Sequence, residues 1–105
     1  MINKYNACFN NATIEESLIR LVNLTYKLLP MREENENWEK TLETIIEEFS
    51  GMDRVLIDQH DILFPLLCKL EGLFLLNEKE SFPLYRRTIF ECLSLINELK
   101  KRCQV

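Results

Sequence analysis

The chain has 105 residues, of which 47% are hydrophobic and 29% are charged, and its net charge at pH 7 is −4. This length suits one domain, and the composition excludes a disordered chain. Two glycines and three prolines are too few for the turns of a many-stranded β fold. The acidic balance argues against a protein that binds nucleic acid over its whole surface.

The first twelve residues, MINKYNACFNNA, are rich in asparagine, which is a poor helix former. Ile2, Tyr5 and Phe9 nevertheless have helical spacing, so residues 1–12 are predicted to be an N-terminal arm, either frayed or a short docking helix. Residues 13–105 are predicted to form a single all-helical domain. The arm contains no apolar run of the kind found in a signal peptide. We therefore expect an intracellular protein, in the cytoplasm or nucleus, with reduced cysteines.

The first predicted helix begins at Thr13, because Thr13 and Glu16 have the spacing of a capping box. Pro30 is predicted to end it, since the residue before a proline leaves the α region. Between these points the apolar positions recur three and four residues apart. They are Ile14, Leu18, Leu21, Val22, Thr25, Leu28 and Leu29.

The second predicted helix runs from Trp38 to Phe49 after the polar connection 31–37, with Asn37 as its N-cap. Gly51 is predicted to stand just past its C-terminus. One narrow apolar stripe faces the core, and the opposite face is acidic. The stripe consists of Trp38, Leu42, Ile45, Ile46 and Phe49.

The third predicted helix, Ile62 to Asn77, is the most apolar part of the chain. Residues 52–60 are predicted to form a short turn before it, and Asp58 or Asp61 to cap it. Pro65 then falls in its first turn. One stripe of this helix is Leu63, Leu67, Leu70 and Phe74. A second stripe, about 120° away, is Phe64, Cys68 and Leu75.

The fourth predicted helix begins after Ser81 as its cap and ends in a basic cluster that suits the negative end of a helix dipole. Its regular stripe is Tyr85, Ile89, Cys92, Leu93, Ile96, Leu99 and Cys103. The four helices are predicted to form two antiparallel hairpins, 13–50 and 61–102, in an all-α helical bundle or short helical stack.

Nothing in the sequence commits the chain to catalysis, to a metal or to a cofactor. The four cysteines contain no C-x-x-C pair, so no zinc site is predicted. The only histidine, His60, has Asp58 and Asp61 close by, and such a pair is able to act in acid–base chemistry. Because this segment also has the composition of a helix start, no catalytic residue is predicted.

The surplus apolar surface of the third and fourth helices is the main functional clue. Either the neighbouring helices cover it, or part of it meets another protein chain. The candidate partner-binding residues are Phe64, Cys68, Leu75, Phe90, Arg86 and Arg87. The two arginines lie near a helix N-terminus, where the dipole opposes them, so Glu78 or Glu80 is expected to pair with them.

Residues 62–102, which include LFPLLCKLEGLFLL followed by NEKES and FPLYRRTIFECLSLINEL, resemble a HEAT- or armadillo-type helical repeat. Pro65 lies early in the first helix, and Arg86 or Arg87 lies early in the second, as in such repeats. The aspartate usual before the second helix is missing. The resemblance implies a scaffold that binds other proteins, here as a fragment, a cap or one half of an assembly, because stacks need about three repeats.

We therefore expect a non-catalytic interaction module, a subunit or scaffold piece of an intracellular complex. Two other interpretations stay open. One is a homodimeric helical regulator that touches nucleic acid through Arg86, Arg87, Lys100 and Lys101. The other is a small enzyme that uses His60 with one of its neighbouring aspartates.

Overall fold

Four α-helices make up most of the protein in a computed structural model that describes residues 11–103, with side chains from residue 14 onward. In chain order they are α1 (Asn11–Glu33), α2 (Trp38–Val55), α3 (His60–Gly72) and α4 (Phe82–Cys103). No strand occurs among these described residues, and the predicted all-α class with four main helices is confirmed. The predicted arm, residues 1–12, lies almost wholly outside the described range.

Each helix packs on the next one along the chain, and α1 also packs on α4, so the four helices surround one core. Short connections between packed neighbours produce antiparallel hairpins. The principal extents of the molecule are 48 × 22 × 18 Å. Because neighbouring helices are antiparallel, four helix ends meet at one end of the bundle, which we call the Arg32 end. They are the C-terminal ends of α1 and α3 and the N-terminal ends of α2 and α4.

The core consists of one buried stripe from each helix, because apolar residues three and four apart fall on one side of a helix. Most predicted core positions are confirmed. Leu66 is fully buried although neither predicted stripe of α3 included it. Thr25 is the buried polar residue of α1, and its hydroxyl donates to the Leu21 carbonyl oxygen at 2.7 Å. This bond removes most of the cost of burying the hydroxyl.

The prediction that Pro30 ends the first helix is wrong. Helix α1 continues to Glu33, and it also includes residue 13, which was predicted to cap it. Pro30 is exposed, and one missing hydrogen bond in the last turn leaves little buried backbone without a partner. The helix ends instead in a Schellman turn. The backbone amide of Glu36 donates to the carbonyl oxygen of Met31 at 2.8 Å, and the backbone amide of Asn35 donates to the carbonyl oxygen of Arg32 at 3.2 Å. Asn35 has the left-handed φ of 59° that this turn requires.

Helix α2 ends at Val55, six residues beyond its predicted end at Phe49. Gly51, which was predicted to stand just past the helix, is part of it. Met52 explains the extension, since its side chain is buried in the core one turn after the last predicted core residue. Asn37 does occupy the N-cap position, but its side chain makes no capping hydrogen bond.

Helix α3 begins at His60 and ends at Gly72, so it is shorter at its end than predicted, and a 3₁₀ segment, Leu73–Leu75, follows it. Because α3 begins at His60 and not at the predicted Ile62, Pro65 lies inside the helix and not in its first turn. Gln59 occupies the N-cap position, so neither Asp58 nor Asp61 caps the helix. A further 3₁₀ segment, Lys79–Ser81, leads into α4, where Pro83 lies in the first turn.

Candidate functional site: the outward face of the third helix

Three predicted interface residues lie together on the outward side of α3 and the segment that follows it. Phe64 and Cys68 are one helical turn apart, and Leu75 follows two turns later. Phe64 is 56% exposed, Leu75 is 83% exposed, and Cys68 is also exposed. We call Phe64, Cys68 and Leu75 the outer α3 face. The opposite side of the same segment is fully inside the core, through Ile62, Leu63, Leu66, Leu70 and Leu73.

Polar contacts on both sides hold α3 in place and so determine how the outer α3 face is presented. Arg102 of α4 donates from Nη1 to both carboxylate oxygens of Asp61, each at 2.9 Å. Lys69 Nζ pairs with Glu91 of α4 at 3.1 Å. On the other side, His60 Nδ1 lies 2.7 Å from Asp53 Oδ1 of α2. Side chains of α3 thereby tie the helix to α2 and α4, while its apolar outward residues make none of these bonds.

The contact between His60 and Asp53 bears on the enzyme interpretation. Sequence proximity pointed to Asp58 or Asp61 as the partner of His60, but Asp61 is paired with Arg102 instead. The carboxylate that reaches the imidazole comes from the end of α2, seven residues earlier. The His60 ring also lies 5.5 Å from the Phe64 ring, between centroids. This arrangement orients His60 at the edge of the outer α3 face.

Phe90 and Arg86 belong to a different surface, on the side of α4 that faces α1. The Arg86 guanidinium carbon lies 5.3 Å from the Phe90 ring centroid. The Phe90 ring meets Tyr26 of α1 edge to face, with centroids 6.3 Å apart. The next residue, Glu91, points to Lys69 of α3 and so lies about 100° further around the helix. We call Tyr26, Arg86 and Phe90 the α1–α4 aromatic patch.

The six predicted interface residues are therefore exposed but do not form one continuous site. Phe64, Cys68 and Leu75 share the outer α3 face, whereas Phe90 and Arg86 share the α1–α4 aromatic patch. Arg87 is exposed on α4 and belongs to neither group. Among the described residues, neither Glu78 nor Glu80 pairs with the two arginines. Arg86 lies over Phe90, and this cation–π contact takes the place of the expected ion pair.

Arg32 is a structurally important residue that sequence reasoning missed. Its Nη2 donates to the carbonyl oxygens of Leu76 and Glu78, each at 2.6 Å, and so ties the end of α1 to the connection between α3 and α4. The guanidinium also lies over the rings of Phe82 and Tyr85. An arginine just past a proline, within a predicted polar connection, carries no local signal of this role. Its partners are more than forty residues away in the sequence.

The described cysteines are free thiols in three different surroundings. Cys68 is exposed, Cys103 is half-buried, and Cys92 is fully buried. Burial raises the pKa of Cys92 to about 12, an effect that Lys69 opposes and Glu91 reinforces. Burial also raises the pKa of Cys103. Within the described part of the chain, no group of three or more histidine, cysteine or carboxylate side chains is arranged to hold a metal ion.

Comparison of the whole chain with protein-family models, with curated proteins and with solved structures finds no match. The similarity of residues 62–102 to a HEAT- or armadillo-type repeat therefore stays a prediction. None of the helices in the described range combines the length and the apolar character needed to cross a membrane.

Proposed function

We propose that the protein is a non-catalytic interaction module that binds another protein chain through the outer α3 face. The observation that supports this proposal is the alignment of Phe64, Cys68 and Leu75 opposite a fully buried stripe. Two large apolar side chains are exposed there, Phe64 on α3 and Leu75 on the 3₁₀ segment after it, and side-chain contacts tie α3 to both neighbouring helices. Burial of a Phe or Leu side chain contributes roughly 1.5–3 kcal/mol, so a partner that covered both would gain several kcal/mol before the costs of association.

The charged surfaces of the helices that pack on α3 suit a role in orienting the partner. The outer side of α2 carries exposed acidic residues, among them Glu39, Glu43 and Glu47, and the end of α4 carries Lys100 and Lys101. Complementary charges at the edge of an interface speed association and select its orientation more than they add affinity. We infer that the protein acts as a subunit or scaffold piece of an intracellular complex, with α3 as the contact helix.

The test is Phe64→Glu, with Tyr26→Glu as a matched control. Tyr26 is 49% exposed, close to the value for Phe64, but it lies in the α1–α4 aromatic patch. Tagged wild type and both variants are used to isolate partners from a lysate of the source organism, and the recovered partner is then purified and titrated against each protein. Phe64→Glu is expected to abolish the association, while Tyr26→Glu binds as the wild type does.

Circular dichroism and light scattering on the same samples complete the test. Both variants are expected to keep the helical signal of the wild type, because neither side chain is in the core. Self-association of the wild type that Phe64→Glu removes would identify a second copy of this chain as the partner. Wild-type binding by Phe64→Glu would refute the proposal, and so would loss of its helical signal, since the residue would then be part of the core.

A further inference from the structure

An open pocket of about 630 Å³ lies at the Arg32 end of the bundle. Its walls come from the end of α1, the start of α2, the connection between α3 and α4, and the start of α4. Small-molecule sites in proteins commonly have volumes of about 300–1,000 Å³. The volume at the Arg32 end is therefore sufficient for a small organic ligand, and the nature of the ligand follows from the lining side chains.

Aromatic rings form one part of the lining. Trp38 and Phe82 both border the pocket. Trp38 is held on two sides, because its ring stacks on Phe74 at 6.4 Å and meets Tyr85 edge to face at 5.3 Å, both between centroids. Phe82 stacks on Tyr85 with centroids 6.1 Å apart and the planes 19° from parallel. Rings held in this way offer a preorganised apolar surface to a planar ligand.

The charged part of the lining is cationic on balance, although the whole chain carries −4. Arg32 and Lys79 border the pocket, against the single carboxylate of Glu33. Arg32 is also fixed in position, because Nη2 is held by two carbonyl oxygens while its guanidinium lies over two rings. Its hydrogen bonds to the described residues come from Nη2, and its buried Nε has no partner among those residues. The Arg32 guanidinium therefore keeps donor capacity at the pocket wall.

We propose that this pocket binds a small planar aromatic anion, such as an aromatic carboxylate. The ring of the ligand packs against the exposed parts of Phe82 and Trp38, and its acid group accepts hydrogen bonds from the Arg32 guanidinium and Lys79 Nζ. The pairing of a fixed guanidinium with rigid rings distinguishes this ligand class from two simpler ones. A neutral aromatic molecule lacks the charge-assisted bonds, and an aliphatic acid of similar size lacks the stacking contribution.

The test uses the indole N–H signal of Trp38 in a two-dimensional ¹H–¹⁵N spectrum, which is unambiguous because the chain has one tryptophan. Benzoate, benzamide and cyclohexanecarboxylate are titrated against the full chain. Benzoate is expected to shift the Trp38 signal in a saturable way. Benzamide is expected to bind at least about tenfold more weakly, which corresponds to the loss of one charge-assisted hydrogen bond. Cyclohexanecarboxylate is expected to bind several-fold more weakly than benzoate.

The matched variants are Lys79→Gln and Lys27→Gln. Both lysines are exposed, so neither substitution is expected to disturb folding, but only Lys79 borders the pocket. Lys79→Gln is expected to weaken benzoate binding several-fold, and Lys27→Gln to leave it unchanged. The proposal is overturned if benzoate leaves the Trp38 signal unmoved, if the aliphatic acid binds as well as benzoate, or if both variants bind benzoate as the wild type does. None of these results depends on whether the outer α3 face binds a partner.

Discussion

The guanidinium carbon of Arg32 lies 4.5 Å from the ring centroid of Tyr85, so a side chain from the end of α1 is held against the start of α4. The same guanidinium donates to Leu76 and Glu78 in the connection before α4. One residue thus links three segments that are distant in the chain. Because the contact combines ring stacking with two hydrogen bonds from a charged donor, we expect it to contribute more to stability than the other described arginine contacts.

Replacement of Arg32 by methionine should lower the free energy of unfolding by about 2 kcal/mol. Methionine keeps an apolar stem against the rings but removes two hydrogen bonds from a charged donor and the cation–π contact. Urea unfolding followed by circular dichroism measures the change. The control is Arg20→Met, which removes an exposed ion pair with Glu48. Exposed pairs of this kind contribute less than about 1 kcal/mol. Equal decreases in the free energy of unfolding of the two variants would show that the Arg32 contact stabilises the protein no more than an exposed ion pair does.

Replacement of Asn35 by alanine should destabilise the protein by about 1 kcal/mol, while Asn35→Gly should leave its stability unchanged or raise it. Asn35 has a φ of 59°, a conformation that alanine adopts at a cost and glycine adopts freely. Thermal unfolding of both variants compares the two effects. Asn37→Ala is the control, because Asn37 occupies an N-cap position without a capping bond and its loss should be nearly neutral. A similar loss for Asn35→Gly and Asn35→Ala would contradict the Schellman turn.

The protein should lose stability as the pH rises above about 9. Burial raises the pKa of Cys92 from 9.0 to about 12, and burial also raises the pKa of Tyr85 above its ordinary 10.0. The unfolded chain therefore releases these protons at a lower pH than the folded chain does. The stabilisation is complete below pH 9 and is lost progressively as the pH rises through the folded pKa values. Urea midpoints measured on both sides of pH 9 should decrease in this direction.

Cys92→Val tests the origin of the alkaline effect. Valine is close in size to cysteine and does not titrate, so the dependence of stability on pH above 9 should become less steep. The control is Tyr26→Phe, which removes a hydroxyl from an exposed side chain and should leave the slope unchanged. An unaltered slope in Cys92→Val would mean that the thiol is not protected from ionisation by the fold.

Tyr85→Phe should stabilise the protein by up to about 1 kcal/mol at neutral pH. The Tyr85 side chain is fully buried, and its hydroxyl has no hydrogen-bond partner among the described residues. A buried polar group without a partner costs free energy that phenylalanine does not incur. The ring stays in place for its contacts with Trp38 and Phe82. Calorimetric unfolding of the two proteins measures the difference, and a clear loss of stability would reveal a partner for the hydroxyl.

Cys68 should react with iodoacetamide in the native protein, and Cys92 should react only after unfolding. Cys68 is exposed, whereas Cys92 is fully buried and its raised pKa keeps the nucleophilic thiolate scarce at neutral pH. Peptide mapping by mass spectrometry after timed labelling separates the two sites. Labelling in urea is the control for the intrinsic reactivity of each peptide. Failure of Cys68 to react in the native protein would place it in the core and contradict the outer α3 face.

The core was largely predictable from the sequence, and the helix ends were not. The stripe from Trp38 to Phe49 and the stripe of α4 follow the period of the α-helix, which is a local property of the chain. The ends depend on distant contacts. Helix α1 passes Pro30 because Arg32 finds carbonyl partners in the connection between α3 and α4, and α2 passes Gly51 because Met52 has a place in the core.

The candidate sites divide in the same way. The exposed stripe of Phe64, Cys68 and Leu75 was visible as a second apolar line on a helix that already had one. The separation of this stripe from Phe90 was not, since it depends on which neighbour each side of α4 faces. The pocket at the Arg32 end brings together side chains from α1, α2, α4 and a connection, and no spacing in the sequence relates them.

By itself the sequence determined that this chain is helical, that it has four main helices, and which side of α1, α2 and α4 is buried, because periodicity and burial of apolar side chains act within one helix. Only the tertiary structure decided where the helices end, that His60 pairs with Asp53 and not with its nearer aspartates, and that Arg32 borders a pocket with Trp38 and Phe82. These features depend on contacts between different helices and connections, which only the packing of the four helices establishes.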